Sequence, residues 1–232
     1  MKSFEEYLAE SYNDQGIFKA VFMLGSPASG KSFMQQELTG GIYPRIVNSD
    51  KFTRTYYGKE KEAYDIILGD ISDELINKSV SLQRNQLAMY IQGHLPLLID
   101  STSSNDITLK NRIKILKDNG YDIAMVYIHT PLDVAIRRNN ERKASGNGGV
   151  PEDFLRDTYA KIEANYEHYK TLFSEVYLID NSSDNAFAID FNTIYKKVRN
   201  FYISPVKNPI GQEYIRNKTE IKEVNLNGWY AE

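Results

Sequence analysis

The sequence predicts an α/β fold built on a parallel sheet, and two observations predict it. Short apolar runs alternate with longer amphipathic stretches along most of the chain, and the short runs are apolar nearly throughout, not at every second position. Strand–helix alternation makes successive strands parallel, and strands without a polar face are strands covered on both sides. The length, 232 residues, suits one sizeable core with extensions.

Strands are expected at 17–24 (IFKAVFML), 44–48 (PRIVN), 96–100 (PLLID), 121–128 (YDIAMVYI) and 175–180 (EVYLID). Helical patterns lie between them, near 31–39, 71–93, 106–118, 132–143, 152–171 and 186–201. Within 71–93, Leu75, Leu82, Met89 and Ile91 fall on one helical stripe. KASGNGGVP, 143–151, is the most flexible interior stretch, and Pro151 suits the opening of the next helix. Beyond Phe201 periodicity fades and turn residues collect, so 202–232 reads as a tail, ordered if Trp229 or Tyr230 packs onto the domain. The expected division is an extension at 1–16, a domain at 17–201 and that tail.

Composition narrows the chemistry. The chain has no cysteine, which excludes disulfides, thiolate nucleophiles and zinc–thiolate sites. No apolar stretch approaches the ~18 residues of a membrane span, and the start has no long apolar signal region, so the cytosol is the expected compartment and no membrane partner is expected. A net charge of −3 gives no overall attraction to nucleic acid, although a local basic groove remains compatible with it.

GSPASGKS, 25–32, fits G-x-x-x-x-G-K-[ST] and stands between an apolar strand and a helical pattern. Glycines there allow a tight turn whose N–H groups face inward, and the following helix adds its positive end, so phosphate oxygens are the natural ligand. Gly25, Ser26, Ala28, Ser29, Gly30, Lys31, Ser32 and Phe33 are the expected nucleotide contacts, with Lys31 on the β- and γ-phosphates and Ser32 on Mg²⁺. Asp100 ends a buried strand where the ligand crevice of such a sheet opens, and it is a second Mg²⁺ ligand or the cap of the helix starting near Asp106. Asp50 leaves the second strand at the same edge, as a proton acceptor or as another cap. Arg54, Thr102 and Arg112 are acceptor-side candidates. Arg138 and Arg142 share a helix face before the glycine-rich stretch; they neutralise a moving phosphate or form a surface cluster. No guanine-reading N-K-x-D occurs, which argues against a GTPase. His94, His129 and His168 have no ligand spacing.

The order of these motifs, with RRNNERKASGNGGVPEDFLRDTY the most specific portion after the loop, resembles the small P-loop kinases that include phage polynucleotide kinase and the zeta-toxin kinases. The resemblance runs from about Phe18 to about Tyr169. It implies a three-layer P-loop NTPase fold with a five-stranded parallel sheet in the order 2-3-1-4-5 and a helical lid. It further implies ATP and Mg²⁺ as cofactors, Asp50 as general base, Lys31, Arg138 and Arg142 on the phosphates, and a hydroxyl acceptor. That acceptor is a polynucleotide (5′-hydroxyl or modified base) or a nucleotide sugar; a nucleotide-holding virion protein without turnover is the third reading. Two positions differ from those families: Thr53 stands where the polynucleotide kinase has an acceptor-gripping arginine, displaced here to Arg54, and Asp100 stands where zeta toxins carry glutamate. YLAES, 7–11, resembles phage prohead protease sites, which implies packaging in a virion. A polynucleotide acceptor requires a basic channel, for which Lys110, Arg112, Lys114 and Lys117, or Lys196, Lys197 and Arg199, are the candidates.

Overall fold

Five strands, β1 (Lys19–Leu24), β2 (Arg45–Val47), β3 (Leu97–Asp100), β4 (Asp122–His129) and β5 (Glu175–Asp180), form one sheet. In this computed structural model, which describes residues 15–38, 42–48, 73–100, 104–146, 148–218 and 221–229, every pairing is parallel and the order is β2-β3-β1-β4-β5. The expected α/β sheet and its order are therefore present. The helices are α1 (Lys31–Glu37), α2 (Asp73–Gln92), α3 (Asp106–Asp118), α4 (Leu132–Ala144), α5 (Glu152–Leu172), α6 (Asp184–Ile203) and α7 (Pro209–Asn217).

β1 is buried at all six positions, which is why its sequence carries no polar alternation. Its side chains nevertheless divide with period two. Ala20, Phe22 and Leu24 join Leu97, Ile99, Ile123, Met125 and Tyr127 on one face, covered by Leu87 and Ile91 of α2, Leu109, Ile113 and Leu116 of α3, and Ile162 and Tyr169 of α5. Val21 and Met23 join Leu98, Ala124, Val126 and Ile128 on the other, under Met34 of α1, Leu38 at its C-cap, and Ile194, Val198, Phe201 and Tyr202 of α6. Two apolar layers on one sheet give the three-layer architecture.

The strand ends are set by register: Met23 is level with Asp100, Leu24 with Tyr127, Val47 with Ile99, and His129 with Asp180. The carboxyl ends of all five strands thus lie along one edge, and the order reverses around β1 and β3, where ligands of open α/β sheets bind.

Two expectations change at the chain's margins. The first strand starts at Lys19 instead of 17, because residues 15–18 form a turn with Phe18 at φ 54. The segment 202–232 contains α7, capped by the Asn208 side chain, which accepts from Ile210 N at 2.9 Å, with Pro209 in its first turn. Pro209 and Gly211 hide this helix from a propensity reading, yet proline suits a first turn, where its missing N–H is not needed. Trp229 is fully buried with Leu226 and Ile221 against the first face, so this stretch is part of the core. YLAES and Tyr230 fall outside the described residues.

At the opposite, starting edge of the sheet, the buried Lys19 ammonium bonds Asp122 at 2.7 Å, Ser204 Oγ at 3.1 Å and the Pro205 carbonyl at 3.0 Å. Asp122 also accepts from the main-chain N–H groups of Lys207 and Asn208, each at 2.8 Å. This network ties the chain after α6 to the sheet, far from the carboxyl edge.

Candidate active site

The turn between β1 and α1 is shaped by steric demands. A Cβ on Gly25 would stand 2.6 Å from Ser29 Oγ and 2.9 Å from the Ile128 carbonyl. Gly30 has φ +95, and a Cβ there would meet Asn181 Nδ2 at 2.6 Å. Ala28 also takes the left-handed region, at φ 60. Gly30 is the N-cap of α1 and supplies no side-chain acceptor, and the first turn has no acidic residue. The cap position itself thus offers no side chain to the first N–H groups of α1, and such groups at a helix start are donors suited to an anion.

Lys31 Nζ donates to the carbonyls of Gly25 at 2.6 Å and Ser26 at 2.9 Å, so its ammonium spans the loop. Ser32 is exposed beside it, and Phe33 presents an exposed ring from the first turn of α1.

Asp100 arrives from the end of β3. Its Oδ2 accepts from Gln35 Nε2 and, at 2.8 Å, from Asn48 Nδ2. Gln35 lies three residues after Ser32 on α1, hence on the same face, which brings the Asp100 carboxylate within about one helical turn of the Ser32 hydroxyl. The alternative reading of Asp100 as a helix cap is set aside: the N-cap of α3 is Asn105, whose Oδ1 accepts from Thr108 N at 2.9 Å. A carboxylate and a hydroxyl are hard oxygen donors and fit Mg²⁺. Among the described residues there is no group of three His, Cys, Asp or Glu side chains that could hold a metal ion.

Arg138, on α4, reaches the loop through a residue that no motif flagged. Asn181, just past β5, is buried; its Nδ2 donates to the Ser29 carbonyl at 2.7 Å, its Oδ1 accepts from Arg138 Nη2 at 3.4 Å, and its main-chain N–H donates to His129 O at 2.8 Å. Thr130 Oγ1 makes a second bond to the Ser29 carbonyl, at 3.2 Å. Arg138 Nη1 is buried with no hydrogen-bond partner among the described residues. Arg142 lies one turn further along α4 and is exposed, so of the two arginines only Arg138 is joined to the loop.

The glycine-rich stretch after α4 is pinned at its base. Buried Asn139 donates through Nδ2 to the Val150 carbonyl at 2.8 Å and accepts through Oδ1 from Val150 N at 2.9 Å. The clasp closes the 140–149 excursion on the helix that carries Arg138.

Asp50, Arg54 and Thr102 lie outside the described residues. Arg112 has a different task from the one expected: its Nε donates to the Trp229 carbonyl at 2.8 Å and its guanidinium lies 5.5 Å from the Trp229 ring centroid. It anchors the C-terminal segment. The other cations of α3 are engaged too, Lys110 with Asp106, Lys114 with Asp118 and Lys117 with the Leu172 carbonyl. Lys196, Lys197 and Arg199 sit in the second half of α6, which runs toward the starting edge, where Tyr202 Oη donates to the Leu97 carbonyl at 2.9 Å. The histidines stay apart: His129 lies beside Glu163, His168 beside Asp106, and His94 is buried against Phe18. Tyr127 donates its hydroxyl to Glu163, and burial pushes that phenol far up, so it remains a neutral donor.

Comparison with known proteins bears on the family and the fold. The sequence model of the AAA_33 family, described as an AAA domain, matches residues 21–169. A curated relative, L-seryl-tRNA(Sec) kinase of Methanococcus maripaludis, is 18% identical over 182 residues, which span 77% of this chain and 64% of that protein. The fold is similar to the Pnkp1/Rnl/Hen1 RNA repair complex (TM-score 0.54, 12% identity, 91% of this chain and 89% of that one). It is likewise similar to a gluconokinase of Sinorhizobium meliloti 1021 (TM-score 0.50, 12% identity, 82% of this chain and 95% of that one). At these identities the solved structures speak for the fold.

Proposed function

The chain belongs to the AAA_33 family of AAA domains, and from that premise we propose that it is an ATP-dependent kinase of a hydroxyl acceptor. Lys31 and the amides of the loop hold the β- and γ-phosphates; Ser32 and Asp100 would hold Mg²⁺, which when bound neutralises phosphate charge. The acceptor oxygen forms a bond to the γ-phosphorus as the bond to the β,γ-bridging oxygen breaks, ADP leaves, and the acceptor proton passes to Asp50. Asn48, two residues earlier and bonded to Asp100, carries the chain from β2 to this edge. Arg138 stabilises charge on the phosphoryl group in flight, and Arg142 is assigned to closure of the lid.

One observation carries the reading. A protein that only holds a nucleotide has no need of a second cation at its phosphate loop, yet Arg138 is held there by Asn181. The relatives named above act on both macromolecular and small acceptors, and both remain readings for this chain. A polynucleotide 5′-hydroxyl or a base hydroxyl is the first. The second, a small hydroxyl compound such as a nucleotide sugar, is favoured by the engagement of the α3 cations and the remoteness of those on α6.

The test is transfer from γ-labelled ATP to 5′-hydroxyl DNA and RNA, hydroxymethylated DNA and UDP-amino sugars. Label on any one of them supports the kinase reading and identifies the acceptor class. Tight ATP binding with no labelled product on the panel leaves a nucleotide holder and refutes it.

A further inference from the structure

The geometry points to Asn181 as the positioning residue of this site, one amide that sets both the phosphate loop and the arginine. The inference deepens the kinase reading and rests on it.

Consider the loop first. A trans peptide directs its N–H away from its C=O. Two donors draw the Ser29 carbonyl outward, Asn181 Nδ2 at 2.7 Å and Thr130 Oγ1 at 3.2 Å. The N–H of Gly30 must then face away from both. A peptide at a left-handed glycine, φ +95, is otherwise one of the easiest in a chain to flip. Asn181 keeps this one from flipping, and thereby keeps a donor turned to the phosphates.

The same carboxamide treats Arg138 in the complementary sense. Its Oδ1 takes Nη2 at 3.4 Å, while Nη1 is buried without a partner among the described residues. A guanidinium is a rigid planar fork, so fixing one of its nitrogens fixes the direction of the other. The partnerless nitrogen is the one left for the γ-phosphate. The Asn181 side chain, in turn, hangs from a main chain fastened to His129 O at 2.8 Å, the end of β4. Its footing is the sheet and not the lid, which is what a positioning group requires.

The test needs no acceptor. Titration calorimetry compares ADP·Mg²⁺ with AMP-PNP·Mg²⁺, a non-hydrolysable triphosphate, on wild type, N181A, N181D, R138A and N181A/R138A. Thermal melts check that each variant folds. The margin by which the triphosphate binds more tightly than ADP reads Arg138; the ADP affinity itself reads the loop. Wild type should show a margin of roughly tenfold or more, the scale of a charge-assisted hydrogen bond, and R138A should remove most of it, Lys31 keeping the rest. N181A should lose most of the margin and also weaken ADP binding roughly threefold to tenfold. N181D keeps an acceptor for Arg138 but pairs its charge and sets an oxygen against the Ser29 carbonyl, so it should lose part of the margin as well as affinity for both nucleotides. In the R138A background, N181A should lower ADP affinity without changing the margin further.

If R138A loses the margin and N181A keeps it, with ADP affinity unchanged, the inference about Asn181 is overturned and the kinase reading survives. If wild type binds neither nucleotide, the kinase reading falls and the inference falls with it. A purely structural Asn181 would weaken both nucleotides equally in N181A and in N181D, which also overturns the role assigned here.

Discussion

Replacing Lys19 by methionine should weaken the fold strongly and leave the active site almost untouched. Lys19 is 1% exposed, and its ammonium has three oxygen partners within 3.1 Å, among them the Asp122 carboxylate. Methionine fills the same space but leaves Asp122 buried without its counter-charge. Breaking one side of a buried pair costs about 3–5 kcal/mol. Asp122 retains the N–H donors of Lys207 and Asn208, which continue to stabilise its charge, so the lower end, about 3 kcal/mol, applies. For a chain of this size that is a fall in Tm of roughly 6–12 °C. Changing both partners, K19M/D122N, removes the stranded charge and should recover more than half of the loss. Lys19 and Gly25 are at opposite ends of β1, roughly 20 Å apart at the rise of a strand, so nucleotide affinity below the melting transition should stay within about twofold of wild type. Thermal melts and urea titrations at constant pH, with calorimetry for nucleotide, measure these quantities. A single variant melting within about 2 °C of wild type, or a double variant no better than the single, would refute the reasoning.

Three further outcomes follow from the site and the core. R138A should lower phosphoryl transfer by up to about 10³-fold, with a far smaller effect on ADP binding, and equal losses in both would show that the arginine acts only in binding. G30A forces a Cβ to within 2.6 Å of Asn181 Nδ2 at a φ of +95, so nucleotide affinity should fall at least roughly tenfold in a fluorescence titration; an unchanged affinity contradicts the assigned loop geometry. Burial pushes the His94 imidazole down to about 4. The unfolded chain therefore takes up a proton below about 6.5 that the native state refuses, and stability should fall as pH drops from about 6.5 to about 4, by at most about 3 kcal/mol. His94 has φ 56, a conformation asparagine tolerates, so H94N should flatten the urea-midpoint profile across that window; a variant whose profile falls as steeply as wild type assigns the loss elsewhere.

The core was legible because its elements obey local rules. β3 is an apolar run closed by an aspartate, and β4 a run of eight residues with buried positions throughout its middle, so their limits were within reach of pattern alone. The phosphate loop was legible for a different reason: all its residues are adjacent in sequence. What escaped has partners far along the chain. Arg112 reads as a solvent-facing cation on α3 until a segment 117 residues later covers it with Trp229. Asn181 reads as a turn residue after a strand, although its side chain bonds Ser29, 152 residues away. Asn139 sat unread between two arginines in RRNNER, although it is the residue that closes the glycine-rich stretch.

Two of these omissions, Asn139 and Asn181, share a chemistry, and it separates the two edges of the sheet. At the starting edge, charge meets charge: Lys19 and Asp122 neutralise one another, and the product is stability. At the carboxyl edge the orienting groups are carboxamides, Gln35 and Asn48 on Asp100 and Asn181 on Arg138. A carboxamide brings no net charge. It fixes the direction of a carboxylate or a guanidinium without cancelling the field that group exerts on a ligand, whereas an ion pair would compete with the cation or the phosphate for the same charge. A search for charged residues finds the groups that act and passes over those that aim them, because Asn and Gln in isolation announce only caps and turns. Charges directed by neutral amides are what an edge built for phosphate chemistry requires, and charges paired with one another are what an edge built only to hold the fold requires.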